Sequence, residues 1–125
     1  MEKYFANYNQ SLALKELGFD EPCITFYYNR VLTFHTHGID PHFIFKINSD
    51  LWDSCSAPLK SQVFEWFREK YNLVFNFISY NIVKPAEYHW SITWNDEAKA
   101  SGIVKTYEEA ESACIDQLIE LCHDK

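Results

Sequence analysis

The strongest periodic signal in the chain lies at Ala57–Tyr71, APLKSQVFEWFREKY. Leu59, Val63, Phe64, Trp66, Phe67 and Tyr71 fall on one arc at the helical period, and Ser61, Gln62, Glu65, Arg68 and Glu69 fall on the other. The spacing predicts a helix with one core face. Pro58 suits the first turn, where its missing N–H would have no intrahelical partner, and Asn72 suits a stop because asparagine enters the left-handed region cheaply. So much aromatic surface on one helical face requires a sheet beneath it.

Two further helices carry their own end signals. Asn7 to Phe19 begins with cap formers, runs through Leu12, Ala13, Leu14 and Leu17, and meets Gly18, which suits a left-handed C-terminal cap with Phe19 folding back on Leu14 or Leu17. Near the other end, Thr106-Tyr107-Glu108-Glu109 matches a capping box, in which hydroxyl and carboxylate each satisfy a backbone donor. Tyr107, Ala110, Cys114, Ile115, Leu118, Leu121 and Cys122 then form the apolar side of a last helix. Glu108, Glu111, Asp116 and Glu120 stay in water, and the early acidic residues suit the helix dipole.

Between these helices the period changes to that of strands. CITFYY and VLTFHT, within Cys23–Thr36, read as a hairpin about Asn29-Arg30, and Phe43–Asn48 (FIFKIN) as a third strand leading into a linker at 49–56. Leu73–Val83 is a long apolar run without clean alternation, so it is a strand covered on both faces or bulged. Glu87–Asn95 alternates throughout, with Tyr88, Trp90, Ile92 and Trp94 on one side and Glu87, His89, Ser91, Thr93 and Asn95 on the other. Asp96–Lys105 is polar, contains Gly102 and reads as a loop. The expected fold is α+β, a single domain over residues 1–125. An antiparallel sheet of four or five strands carries the two main helices on one face and a short N-terminal helix at its edge.

Composition narrows the function classes. An aromatic fraction of 18% with only three glycines indicates a folded domain, and a formal charge of −7 opposes any partner rich in phosphate. No Gly-rich phosphate loop and no basic stripe is present. Cys23, Cys55, Cys114 and Cys122 form no Cys-x-x-Cys pair, and the last two sit roughly 12 Å apart along one predicted helix, too far to bridge. With no signal-peptide core near the first residues and no membrane-length apolar run, the expectation is a cytoplasmic protein with reduced thiols.

The one metal-like constellation is His35-Thr36-His37-Gly38-Ile39-Asp40-Pro41-His42. Two histidines at i and i+2 on a strand share a face, and Asp40 and His42 from the following loop would complete a tetrahedral zinc shell. The run is similar to the His-x-His-x-Asp-His motif of metallo-β-lactamase-like hydrolases. However, its aspartate and last histidine are displaced, and that fold needs a far longer chain. The plainer reading, exposed histidines of a strand and loop, is preferred. His89-Trp90-Ser91-Ile92 fits one arm of a two-histidine phosphoesterase, in which histidine and hydroxyl grip phosphate from a sheet face. The second arm is missing, because His35-Thr36-His37 lacks the hydroxyl. Cys55 has no nucleophile signature around it and reads as a small buried hydrophobe. Surface aromatics are the remaining candidate: Tyr80, Tyr88, Trp90 and Trp94, with Tyr27 and Tyr28, exceed what one small core easily absorbs, so that some of them would form a binding patch; the equal alternative is that they cover both sheet faces under the helices.

Leu12–Cys23 (LALKELGFDEPC), Ala57–Tyr71 with its WFREKY ending, and Thr106–Glu120 (TYEEAESACIDQLIE) together resemble a family of small proteins of gut Bacteroidetes and their phages or mobile elements. They cover about a third of the chain. The resemblance implies no activity and no catalytic residues, and the segment from Tyr27 to Asp53 departs from the family pattern. Together these readings favour a non-enzymatic interaction or accessory protein that modulates a host. It would bind a protein or its own copy, with no nucleic acid, membrane or cofactor. A small zinc- or histidine-dependent hydrolase is the alternative.

Overall fold

The computed structural model describes residues 2–34, 54–73, 75–81 and 87–123. It divides the chain into two compact units, residues 1–62 and 63–125. Among the described residues the fold is α+β, with three α-helices and two three-stranded antiparallel sheets. The expectation of one sheet with four or five strands is therefore corrected. The expected strand at Phe43–Asn48 lies outside the described residues.

In the first unit, a short 3-10 turn (Glu2–Tyr4) leads into α1 (Tyr8–Glu16). Both ends of α1 are closed by local bonds. The Gln10 amide donates to Asn7 Oδ1 at 2.8 Å, and the Asn7 amide donates to Gln10 Oε1 at 3.0 Å, completing a capping box. At the other end Gly18 has φ 95°, while the Phe19 and Gly18 amides donate to the carbonyls of Leu14 and Lys15. This is the expected glycine cap, with Leu14 and Phe19 both buried.

β1 (Thr25–Tyr28) and β2 (Val31–Phe34) form the expected hairpin. Asn29 and Arg30 both have positive φ, 50° and 66°, the requirement of a type I′ turn, whose twist matches that of the flanking strands. β3 (Ser54–Ser56), expected to be linker, pairs with the other edge of β1. Tyr27, Cys55 and Ala57 form a buried cluster flanked by Tyr8, Leu12 and Leu32. Its polar atoms are satisfied: the Tyr27 hydroxyl donates to the Ala6 carbonyl at 2.9 Å and the Thr25 hydroxyl to the Ala57 carbonyl at 2.6 Å.

Helix α2 (Lys60–Tyr71) begins at the end of the first unit and runs on into the second. It starts later than its apolar pattern suggests. The Pro58 carbonyl accepts from the Ala6 amide, and Leu59 forms a β-bridge with Phe5, so Pro58 precedes the helix and Leu59 is exposed. Val63, Phe64, Trp66 and Phe67 are buried as expected, and Asn72 closes the helix at φ 53°.

In the second unit β4 (Phe75–Asn81), β5 (Glu87–Trp94) and β6 (Glu97–Val104) pair antiparallel in that order. Helix α3 (Tyr107–His123) packs on all three strands. It starts at the expected cap, where the Glu109 amide donates to the Thr106 hydroxyl at 3.1 Å, and it buries Ala110, Cys114, Ile115, Leu118 and Cys122. The stretch expected as a loop, Asp96–Lys105, is largely β6. Asn95 and Asp96, at φ 54° and 63°, make a second two-residue turn with positive φ at both positions. Ile92 pairs with Ala100 and Thr93 with Ala98, leaving Lys99 as the extra residue of a bulge.

A candidate site on the open face of the second sheet

Alternation along β5 separates two surfaces. Trp90, Ile92 and Trp94 are buried, whereas Glu87, His89, Ser91 and Thr93 stand half-exposed on the opposite face. Register carries that polar face across to β6, because His89 lies opposite Ile103 and Ser91 opposite Ser101. On the other side His89 lies opposite Ser79 of β4. The result is an open depression of about 470 Å³ lined by His89, Trp90, Ser91, Ser101, Gly102 and Ile103.

His89 is its ionisable lining residue, and Glu87 lies beside it on β5. His89 Nε2 stands 3.4 Å from Glu87 Oε2, and both side chains are 41% exposed. That nitrogen is nevertheless shielded from solvent and forms no hydrogen bond with a described residue, so the contact is an ion-pair approach without hydrogen-bond alignment. The carboxylate therefore keeps its lone pairs for a better-aligned donor. Ile103, 60% exposed, supplies the one large apolar side chain on this face of β6. Lys99, further along β6, is engaged by Glu97 at 2.7 Å.

The residues expected to form sites are placed differently from one another. His35, His37, Asp40 and His42 lie outside the described residues. Among the described residues no group of three or more His, Cys, Asp or Glu could hold a metal ion. Trp90 and Trp94 are buried at 7% exposure each, so the exposed aromatic patch expected on this strand does not include them. Tyr88 is half-buried and meets Tyr107 edge-to-face at 6.0 Å. Tyr80 belongs to β4 opposite Tyr88, and its side chain lies outside what is described. Cys55 is fully buried, and burial pushes its thiol up to about 11, which removes the thiolate a nucleophile needs.

Reading the sequence located His89 and Ser91 on a polar strand face but missed Ser101, Gly102 and Ile103. The usable signal was Asn95-Asp96, two residues that tolerate left-handed backbone placed directly after an alternating strand. Comparison with protein families, curated proteins and solved structures finds no match to this chain.

Proposed function

We propose that the chain is a protein-interaction domain without a catalytic step of its own. The observation that carries this reading is the outer face of the β1–β2 hairpin, where Tyr28 and Val31 are cross-strand partners at 53% and 62% exposure. Ile24, in the same alternation two residues before Phe26, is 53% exposed. Large apolar side chains grouped on one small surface favour an interface, and tyrosine brings much contact area at low entropic cost. The net charge of −7 favours a basic protein partner and opposes nucleic acid. In the cytoplasm the four buried cysteines, none of them in a disulfide, would stay reduced. The resemblance to phage and mobile-element proteins extends the reading to an accessory factor that modulates a host.

The test is a comparison of the wild-type chain with Tyr28→Ser/Val31→Ser in pull-down and sedimentation. Association with a basic protein, or with a second copy, is expected in the wild type and should weaken in the variant by more than about 1 kcal/mol. Circular dichroism should stay unchanged. Tight binding to DNA or RNA near physiological salt, or an association indifferent to both substitutions, would overturn the reading. The zinc-hydrolase alternative has its own test: stoichiometric zinc in purified protein, lost in His37→Ala, would place that reading first.

A further inference from the structure

We propose that the depression over His89, Ser91 and Ser101 receives a guanidinium group, the arginine side chain of a basic partner. The inference rests on the interaction reading only for the source of that arginine.

Complementarity of donors and acceptors selects the guest. Among the described residues no Lys or Arg lines the depression; an imidazole and two hydroxyls do, and the Glu87 carboxylate lies beside them, 3.4 Å from the imidazole. Glu87 has the imidazole as its one ionic contact among the described residues, and that contact is not an aligned hydrogen bond. A guest rich in N–H donors finds a carboxylate that accepts no aligned hydrogen bond from His89, beside hydroxyls from two adjacent strands. An anionic guest would meet Glu87 instead.

Arginine fits this set better than lysine does. Its guanidinium is planar, offers five donors in a fixed fork, and stacks on aromatic faces such as the His89 imidazole. Ser91 and Ser101 are directly opposite in register, with Cβ atoms about 5 Å apart, so both hydroxyls are within the reach of one planar fork. Ile103 beside His89 offers apolar cover for the methylene stem of the guest. The overall negative charge draws a cationic group toward the surface before any of these contacts form.

The experiment uses the full isotopically labelled chain and three small probes: N-acetyl-arginine amide, N-acetyl-lysine amide and N-acetyl-citrulline amide. Saturable shifts of the His89 ring and of the Ser91 and Ser101 amides are expected with the arginine probe. The lysine probe should bind several-fold more weakly and the uncharged citrulline probe not at all. Glu87→Gln should weaken arginine binding about tenfold, and Ser91→Ala provides a second variant should Glu87→Gln disturb the sheet. The proposal is overturned if the arginine probe gives no saturable shift at these residues, if citrulline binds equally well, or if both variants bind like the wild type. Because the probes need no partner protein, this result is independent of the hairpin test.

Discussion

The indole of Trp90 occupies the space in which any side chain at Gly102 would begin. A Cβ built on Gly102 would lie 2.5 Å from Trp90 Nε1, 2.7 Å from Cε2 and 2.8 Å from Cζ2, distances that real Cβ atoms do not reach. The two residues are register partners across β5 and β6, so a tryptophan on the covered face of the sheet is matched to the smallest residue. Ile92 opposite Ala100 repeats the same large-to-small matching one step along. Close packing of the sheet face under α3 follows from that matching, not from strand propensity in β6.

Gly102→Ala should therefore destabilise the protein by about 1 to 3 kcal/mol through overpacking, although alanine is normally better tolerated in a strand than glycine. Urea midpoints give the measurement. A double-mutant cycle with Trp90→Leu should recover much of the loss, because the smaller side chain vacates the space the methyl needs. A Gly102→Ala variant as stable as the wild type would show that the indole moves aside freely.

That relationship also explains which parts of the fold could be read from the sequence. Helices α1 and α3 and the first hairpin announce themselves by local chemistry: Asn7 and Gly18, Thr106 and Glu109, Asn29 and Arg30 all act within a few residues of their own position. Strand β6 does not. Its composition, EAKASGIV, is poor in β-formers because Ala100 and Gly102 are chosen against Ile92 and Trp90, a tertiary constraint invisible to a local window. For the same reason β5 alone leaves open whether Trp90 and Trp94 are surface rings or cover the sheet, and the structure buries both. One strand's alternation indicates which residues share a face, not whether that face is covered. The polar composition of the His89 site was legible, but its far wall came from the strand that was missed.

The second hairpin offers a test of turn chemistry. Asp96 adopts φ 63° in the Asn95-Asp96 turn, a conformation that glycine enters without a Cβ penalty. Asp96→Gly creates the Asn-Gly pair favoured by type I′ turns and should stabilise the protein by up to about 1 kcal/mol, after the greater chain entropy of glycine is deducted. A lower thermal midpoint for the variant would indicate that the aspartate side chain itself contributes to the turn.

Phe67 tests the packing of α2. It is fully buried, with Trp66 edge-to-face at a 5.1 Å centroid distance and Tyr71 at 5.8 Å. Phe67→Ala should cost about 3 to 5 kcal/mol, from lost transfer energy together with the cavity left behind. That is a large share of the stability of a typical domain, so partial unfolding at ambient temperature is an expected outcome. An unchanged urea midpoint would mean that the ring adds nothing to the core.

Alkaline pH provides the last test, through the buried thiols. Burial pushes Cys23 and Cys114 up to about 12 and Cys55 to about 11 from an ordinary value of 9.0. Above pH 9 the unfolded chain releases these protons while the folded chain retains them, so the unfolded state binds fewer protons and stability falls as pH rises. Stability from this source is fully present below pH 9 and is lost progressively between pH 9 and the raised folded values. Each thiol in that window steepens the decline by at most about 1.4 kcal/mol per pH unit. Urea midpoints should therefore hold steady from neutrality to pH 9 and then drop. Cys55→Ala and Cys114→Ala should each flatten the slope, although each also lowers the midpoint at neutral pH by removing a buried sulfur. A slope above pH 9 that neither substitution changes would assign the alkaline loss to groups other than Cys55 and Cys114.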